Sequence, residues 1–552
     1  MKELCQAIIT SAIKVVILFT AFQVVRAEAG NPGPDLYWIR FRDKGLETPV
    51  QVSEKALVRR SGKGATSDFS WFDTPVSREY VDDILSRNIE IRRTSRWLNA
   101  VSAFLNQEQF REVQELSHVA GVGRVSSYTR PKDFEAAGKP ATPAKVSVFD
   151  YGFSYPQISM LHIDSLHNLG LSGEGVMIGI MDTGFDTSHT VFSLLRAENR
   201  VVATYDFINN DSNVVDQPGV QRTHGTQVLS VLCGFEEGSL IGPAFGAEVV
   251  LAKTEIVSQE IQAEEDNWVA AAEWMESLGV DIISSSVGYI DWYDTTQLDG
   301  NTAAITRAAD IAASLGVIVV NAAGNEGNTS WRKVIPPADG DSVIAVGAVD
   351  SDGNIADFSS RGPTADGRIK PDFCAPGVMV YTANWAGGYG FSGGTSFATP
   401  LMAGGVALLL EGHPEWTYGD ILGALRTSAS RSFLPNYTYG WGIPDFASAF
   451  YGHSGMLTDN GISILIAPHP AVDSTVFYLT IAGRGEAVLT IHDVSGALIH
   501  RLTIDVLEPG VLSEIWDGRN EHGRKAASGI YICKLELADR TATEKFFFIS
   551  NR

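Results

Sequence analysis

Residues 176–186 read VMIGIMDTGFD, an apolar run that ends at Asp182-Thr183-Gly184. A run of strand length without polar alternation is typical of a strand covered on both faces, as in a parallel sheet. Four similar runs follow along the chain: AEVVLA (Ala247–Ala252), VDIISS (Val280–Ser285), VIVVNA (Val317–Ala322) and SVIAVGAV (Ser342–Val349).

Helix-like segments lie between these runs, at His224–Cys233, Asp266–Leu278 and Thr302–Leu315. Strands that alternate with helices predict an α/β domain with a doubly wound, mainly parallel sheet. In such a domain the functional groups gather at the carboxyl ends of the strands, where Asp182 stands.

Three separated segments carry the residue types of an activated serine. Asp182 ends a strand-like run, His224 heads a helix-like segment, and Ser396 opens the apolar helix in FSGGTSFATPLMAGGVALLL (Phe391–Leu410). A serine hydroxyl becomes a nucleophile when an imidazole takes its proton, and a carboxylate fixes the imidazole's tautomer. We therefore predict Ser396 as nucleophile, His224 as general base and then acid, and Asp182 as the orienting group. An aspartic-protease interpretation of Asp182-Thr-Gly is disfavoured because no second such loop occurs.

The order Asp, His, Ser resembles that of the subtilisin-like serine proteases (subtilases). The matching motifs are Asp182-Thr-Gly, His224-Gly-Thr and Gly394-Thr-Ser396-Phe-Ala-Thr-Pro400, together with SSSVG at Ser284–Gly288 and AAGNEG at Ala322–Gly327. The resemblance covers roughly residues 150–450. One departure is Phe397, where the family usually has Met, and we do not expect this change to abolish activity. Pro400 is expected to be tolerated because it lies near the helix start.

The resemblance implies further site residues. Asn325 would hold the oxyanion together with the N–H of Ser396, and the strand Ser286, Val287 and Gly288 would pair with an extended peptide substrate. Ala322, Ala323 and Gly324 would floor the primary specificity pocket. Small residues there leave room for a large apolar side chain, whereas the nearby Glu326 would tolerate a basic one. The sequence leaves this preference open.

The flanking segments differ in character from the α/β core. The first 27 residues have basic residues and an apolar run of 11 (Val15–Val25), which is typical of a secretory signal peptide and too short to span a membrane. We divide the chain into a signal peptide (1–27), a small α+β unit with a Pro/Lys/Ala linker (28–149), a catalytic domain (150–452) and an all-β, Ig-like sandwich (453–552). The α+β unit with its linker resembles a subtilase propeptide, and a permanent accessory domain is the alternative. Self-cleavage is hypothesised between about residues 130 and 150.

The C-terminal unit resembles the Ig-like domains related to flagellar-hook capping proteins and the sorting domains of type IX secretion. Two interpretations stay open: an export and surface-anchoring signal, or a passive β-sandwich. Either way the protein is expected to be secreted or at the cell surface, without a stable membrane span after signal removal.

The composition restricts the classes of binding partner that are expected. The net charge of −23 argues against nucleic-acid binding. Expected partners are protein or peptide substrates and the propeptide as an intramolecular inhibitor. No cofactor is required for the chemistry, and no catalytic metal is predicted. The resemblance also implies structural Ca²⁺, and the acidic stretch Asp206–Asp216 is either such a site or an exposed acidic loop. Cys233, Cys374 and Cys533 are predicted to be buried thiols.

The sequence thus predicts a secreted serine endopeptidase that is made as a zymogen. Two alternatives from other classes remain at this point. One is a surface binding protein with a dormant protease domain, and the other is a transferase that passes the same acyl-enzyme to an amine.

Overall fold

The structure is a computed structural model of the 552-residue chain. It describes residues 35–63, 70–125, 127–128, 134–135, 147–215, 222–255, 263–290, 293–452, 461–481, 483–507 and 510–550. The predicted signal peptide and most of the predicted linker lie outside these residues. Within the described ranges, no helix is long and apolar enough to cross a membrane.

The N-terminal unit is an antiparallel four-stranded sheet with two different faces. Ile39 and Val101 face the unit's own helices and form its core with Ile84 and Val113. The neighbouring Trp38 faces the other way, into the core shared with the catalytic domain, because side chains alternate along a strand. The elements are β1 (Asp35–Phe41), α1 (Glu54–Gly62), α2 (Ser70–Asp73), α3 (Arg78–Ser86), β2 (Glu90–Ser95), β3 (Ala100–Leu105), α4 (Gln107–Gln114) and β4 (Val119–Arg124), in the sheet order β2-β3-β1-β4, followed by β5 (Ser127–Tyr128) and β6 (Phe134–Glu135).

The catalytic domain has nine α-helices and twelve strands among its described residues. The helices are α5 (Tyr155–Ser159), α6 (Ile163–His167), α7 (Ser193–Ala197), α8 (Thr223–Cys233), α9 (Glu265–Leu278), α10 (Ala304–Ser314), α11 (Thr395–Gly412), α12 (Tyr418–Ser428) and α13 (Phe446–Gly452). The strands are β7 (Met177–Asp182), β8 (Val201–Asp206), β9 (Phe235–Glu236), β10 (Leu240–Ile241), β11 (Glu248–Lys253), β12 (Ala263–Glu264), β13 (Ile282–Ser285), β14 (Ile318–Ala322), β15 (Val343–Val349), β16 (Phe373–Pro376), β17 (Val380–Ala383) and β18 (Tyr389–Gly393). Short 3₁₀ turns lie at Gly152–Ser154, Thr190–Phe192 and Thr295–Gln297.

Seven of these strands form the central sheet, in the order β16-β15-β14-β13-β7-β11-β8, and every neighbouring pair is parallel. Helices α8 and α11 pack on one face, and α9 and α10 pack on the other. The predicted doubly wound α/β fold is therefore confirmed. After β11 the chain crosses β7 to form β13, so the carboxyl end of β7 lies at a topological switch point.

The N-terminal unit docks on α9 through an apolar core that contains Trp38, Trp97 and Trp268, and through several buried hydrogen bonds. The Trp38 Nε1–H donates to Glu265 Oε1 at 3.0 Å, and the Ser102 hydroxyl donates to Asp266 Oδ2 at 2.6 Å. Farther along α9, the Ser95 hydroxyl donates to Glu273 Oε1 at 2.6 Å. The acidic face of this helix is thus satisfied by the N-terminal unit.

The C-terminal unit is all-β, as predicted. Its strands are β19 (Ile462–Val472), β20 (Ser474–Ile481), β21 (Gly485–Asp493), β22 (Leu498–Val506), β23 (Gly510–Trp516), β24 (Gly529–Leu537) and β25 (Arg540–Ile549), in the order β22-β21-β24-β25-β19-β20-β23. Trp516, on one edge strand, packs against Tyr531 and Phe546 of strands near the middle. The sheet therefore folds over on itself and encloses a core, as a sandwich does.

The three cysteines outside the N-terminal segment are buried free thiols, as the sequence predicts. Burial raises the pKa of each of them, Cys233, Cys374 and Cys533, to about 12. Thiolate is the reactive form of cysteine, so these groups are inert at neutral pH.

Candidate active site

A carboxylate and an imidazole meet at the switch point of the sheet. Asp182 is the last residue of β7 and is fully buried, and His224 is the second residue of α8. The two side chains are joined between His224 Nδ1 and Asp182 Oδ1 at 2.7 Å. The Thr183 N–H also donates to Asp182 Oδ1, at 2.6 Å. This geometry assigns the proton-bearing nitrogen of a neutral His224 to Nδ1 and leaves Nε2 as the basic atom.

Gly225 explains how α8 comes close enough for this contact. A Cβ atom at this position would lie 2.2 Å from the carbonyl oxygen of Gly184 and 3.1 Å from Cβ of Asp182. Only glycine lets the helix start pack directly on the Asp182-Thr-Gly loop. The Asp186 N–H donates to the Thr226 hydroxyl at 2.9 Å and ties the same two segments together.

Ser396 lies in the first turn of α11 and is buried. Its hydroxyl oxygen is 3.5 Å from the carbonyl oxygen of Ser286, just beyond β13. The ring of the next residue, Phe397, lies against the His224 ring with centroids 5.5 Å apart. The fold therefore brings the His224–Asp182 pair beside the residue that follows Ser396.

Pro400 lies deeper in α11 than expected, because the helix begins at Thr395 and makes this proline its sixth residue. A proline in that position cannot donate to the carbonyl of Ser396, four residues earlier. The Ser286 hydroxyl donates to that carbonyl instead, at 3.0 Å. The peptide-binding segment predicted at Ser286 thus replaces the lost helical hydrogen bond.

Asn325 follows β14 and faces the same site. Its Oδ1 accepts hydrogen bonds from the Thr395 N–H and from the Thr395 hydroxyl, both at 3.0 Å. An N–H group can only donate, so the atom facing it must be the amide oxygen. This fixes the orientation of the amide. Its NH₂ group points away from Thr395 and can donate elsewhere.

A small cavity beside Ser396 contains most of the predicted substrate-binding residues. Its volume is about 20 Å³, and its walls are formed by Glu255, Ser286, Val287, Gly288, Ala322, Gly324, Asn325, Ile335, Thr395 and Ser396. Ala323, predicted to floor this pocket, is not part of the wall. It is fully buried and packs with Val334, Ala338 and Ala345 on the far side of the chain.

Ala323 lies outside the cavity wall because side chains alternate along an extended segment. Ala322 and Gly324 share one face, and Ala323 points to the other. The alternation could have been read from the sequence. Ile335 and Glu255 were missed because they lie outside the motifs, and Thr395 was missed although it stands inside the Gly394-Thr-Ser396 motif. Glu326 also lies outside the cavity wall, and its Oε2 accepts a hydrogen bond from the Thr329 hydroxyl at 2.8 Å.

The described part of the acidic stretch after β8 does not favour a Ca²⁺ site. Asp206 is buried, and its Oδ2 accepts a hydrogen bond from Lys253 Nζ at 2.8 Å. Its Oδ1 accepts the N–H groups of Ile208 and Asn209. Among the described residues, no cluster of three or more His, Cys, Asp or Glu side chains is suited to hold a metal ion. A lysine ammonium thus already pairs with Asp206, one carboxylate of this stretch, whereas Asp216 lies outside the described residues.

Comparisons with known proteins agree with this geometry. A model of the Subtilase family matches residues 173–442, one of the Peptidase S8 propeptide domain of Bacteroidota matches residues 36–139, and one of the FlgD Ig-like domain matches residues 474–540.

Individual relatives of known type also support this family. Subtilisin DY of Bacillus licheniformis is 32% identical over 294 residues, which span 53% of this chain and 97% of that protein. Subtilisin E of Bacillus subtilis is 29% identical over 67% of this chain and 85% of its own length. Serine protease AprX of Bacillus subtilis is 29% identical over 53% of this chain and 67% of its own length. The chain therefore belongs to the subtilase family of serine peptidases, with a propeptide domain before the catalytic domain and an Ig-like domain after it.

Proposed function

We propose that this protein is a secreted serine endopeptidase, made as a zymogen, in which Ser396 is the nucleophile. The observation that carries the proposal is the 2.7 Å contact of His224 with Asp182 beside a cavity that Ser396 and Asn325 both line. No cofactor is needed for this chemistry, because nucleophile, base and oxyanion donors all come from the chain.

In the proposed reaction, Ser396 Oγ attacks the carbonyl carbon of the scissile peptide while its proton passes to His224 Nε2. The oxyanion accepts hydrogen bonds from the Ser396 N–H and the Asn325 amide. His224 then donates the proton to the leaving amine, and an acyl-enzyme remains on Ser396. Water, deprotonated by His224, hydrolyses the ester and restores the hydroxyl. Asp182 holds the imidazole in the required tautomer and stabilises the imidazolium.

The substrate is proposed to bind as an extended strand along Ser286–Gly288. This segment continues from β13, and its first residue is tied to the backbone of Ser396. Hydrogen bonds to main-chain groups form with almost any peptide sequence. Specificity therefore depends on the pocket that receives the side chain.

The N-terminal unit is proposed to act as the inhibitor until the linker is cut. Two short pairings support this role. Strand β6 pairs antiparallel with β18, with Phe134 opposite Gly393, three residues before Ser396. Strand β5 pairs with β12, with Tyr128 opposite Ala263, two residues before α9. The described residues 127–128 and 134–135, which follow the propeptide sheet, therefore pair with strands of the catalytic domain, and this supports self-cleavage in the linker.

Export is proposed from the N-terminal segment, in which the apolar run Val15–Val25 is followed by small residues at Ala27 and Ala29. For the C-terminal unit, we propose a role in export or surface attachment, with a purely structural sandwich as the competing interpretation. Fusion of residues 453–552 to a carrier protein in the source cell would separate the two: transfer to the surface supports sorting, and retention inside contradicts it.

The first experiment compares the wild-type protein with Ser396→Ala in casein hydrolysis, with protein masses read by mass spectrometry. We expect only the wild type to degrade casein and to lose its N-terminal unit. If both proteins leave casein intact even after trypsin has removed residues 28–149, the domain is dormant and the proposal fails. Casein loss with both would exclude Ser396 as the nucleophile. Added amines that divert the product would indicate transfer rather than hydrolysis.

A further inference from the structure

The walls of the cavity beside Ser396 come from two neighbouring parallel strands. Val287 and Gly288 extend beyond β13, and Ala322 and Gly324 lie at the end of β14; Ser285 of β13 is in register with Asn321. A substrate bound along Ser286–Gly288 would place the side chain of the residue whose carbonyl is attacked, the P1 residue, between these walls. The contents of that slot therefore decide which P1 residues fit.

The side chain of Ile335 occupies the slot. A Cβ atom built on Gly288 would lie 2.6 Å from Ile335 Cδ1 and 2.7 Å from Ile335 Cγ1. A Cβ atom built on Gly324, on the opposite wall, would lie 3.1 Å and 3.0 Å from the same two atoms. The tip of one isoleucine thus touches both glycine walls, and the glycines make room for this isoleucine.

Ile335 is also held in place. It is 4% exposed, its N–H donates to the Ala323 carbonyl at 3.1 Å, and its carbonyl accepts the Ala338 N–H at 2.9 Å. A β-branched side chain has few rotamers through which it could swing away. The space that remains, about 20 Å³, holds roughly one water-sized group.

We infer that Ile335 restricts cleavage to peptides with a small P1 residue, alanine above all, with serine and glycine accepted. The remaining space accommodates a methyl group, whereas the side chains of leucine, phenylalanine and tyrosine would have to displace Ile335. Val287 and Ala322 make the walls apolar, which favours a methyl group over a charged one. This inference rests on the proposed function, and it reverses the expectation that small residues leave room for a large apolar side chain.

Glu255 gives the main competing outcome, because a carboxylate in the wall could attract a basic P1 residue. Its Oε1 already accepts a hydrogen bond from the hydroxyl of Tyr289, and both side chains are buried. A lysine would also have to pass Ile335 to reach it. We therefore expect basic P1 residues to be disfavoured along with large apolar ones.

The test measures kcat/KM of the processed wild-type enzyme on peptides of the form succinyl-Ala-Ala-Pro-X-p-nitroanilide, with X as Ala, Leu, Phe or Lys. We expect Ala to exceed Leu, Phe and Lys by at least tenfold. Ile335→Gly should raise the ratio of Phe to Ala at least tenfold, with Ile335→Ala in between. Ile355→Ala, a half-buried isoleucine outside the cavity wall, is the matched control and should leave the ratio unchanged.

Cleavage sites in casein, mapped by mass spectrometry on the wild type alone, give the same answer if the variants do not fold. Small residues at P1 would support the inference. A preference for Phe, Leu or Lys, or no change in the Phe/Ala ratio for a folded Ile335→Gly, would overturn it while leaving the peptidase proposal intact. Casein loss that is equal in wild type and Ser396→Ala would instead contradict the proposed function.

Discussion

The N-terminal unit meets the catalytic domain through an apolar core reinforced by buried charges, whereas the C-terminal unit meets it through a small apolar cluster. On the N-terminal side, α9 presents Glu273 and Glu276, and both are buried by the docked unit. Arg60 of α1 donates to Glu276 Oε1 at 2.9 Å and Oε2 at 2.8 Å. On the C-terminal side, the contact cluster is apolar: Tyr478 of β20 packs on Ala447 of α13, flanked by Tyr451 and Val476.

This difference in chemistry determines how each junction responds to the loss of a single charge. A buried ion pair adds little net stability compared with an apolar contact, but leaving one partner unpaired is costly. The N-terminal unit therefore docks in one geometry, in which its buried charges are paired with those of α9. An apolar contact of few residues has no such requirement. We expect the N-terminal junction to respond strongly to single charge changes and to pH, and the C-terminal junction to have little influence on the site.

The largest effect is expected for Glu276→Gln in the uncut Ser396→Ala background. This substitution leaves Arg59 and Arg60, both buried, without the carboxylate that faces them, although Arg60 keeps Asp73 at 2.7 Å. Loss of one partner of a buried pair costs about 3–5 kcal/mol. The opening free energy of α1, measured by hydrogen exchange, should fall by that amount.

The matched control is Glu248→Gln at the same junction. Glu248 Oε2 lies 3.4 Å from Lys55 Nζ, and both side chains are about one-third or more exposed. An exposed pair contributes roughly 0–1 kcal/mol. Equal losses for the two variants would mean that burial does not govern this interface.

A smaller effect is expected from pH at Glu273. Burial raises the pKa of this carboxyl above its ordinary value of 4.5, against the opposing effects of Arg96 and of hydrogen bonds from Ser95 and two backbone N–H groups. Undocking returns the group to water and lowers its pKa again. The docked state thus gains stability from Glu273 below about pH 4.5, and this contribution is lost as the pH rises through the raised pKa.

Hydrogen exchange of β2 in the Ser396→Ala protein, corrected for intrinsic rates and compared between pH 4 and pH 8, measures this effect. Glu273→Gln should flatten the part of the pH dependence that belongs to Glu273. If wild type and variant show the same profile, the raised pKa does not contribute to docking.

The smallest effect is expected when the C-terminal unit is removed by ending the chain at Tyr451. Among the described residues, no strand of that unit pairs with a strand of the catalytic domain, and Tyr478 and Ala447 are the fully buried residues of the contact cluster. We expect kcat/KM on casein within about twofold of the full-length value, because a surface contact of this size does not reposition a buried site. A tenfold loss would show that the β-sandwich supports the active site.

Much of the architecture could be predicted from local patterns. The five apolar runs form β7, β11, β13, β14 and β15. A parallel strand that is buried on both faces needs apolar residues at nearly every position, so each such strand has the same sequence pattern. The acidic α9 and the basic end of α1 were equally visible, but their pairing was not predicted. They are more than 200 residues apart, and no local pattern specifies which oppositely charged surfaces will meet.

The sequence by itself determined the fold class, the family and the identity of Asp182, His224, Ser396 and Asn325 as candidates. Each stands in a motif whose residue types the chemistry requires, and their order along the chain matches that of the family. Only the tertiary structure decided the shape of the pocket. Ile335 lies ten residues after Asn325, in a segment without a motif, and reaches the slot because the chain folds back beneath Gly288 and Gly324. The volume of a pocket depends on which distant side chain fills it, and packing of that kind has no local signature.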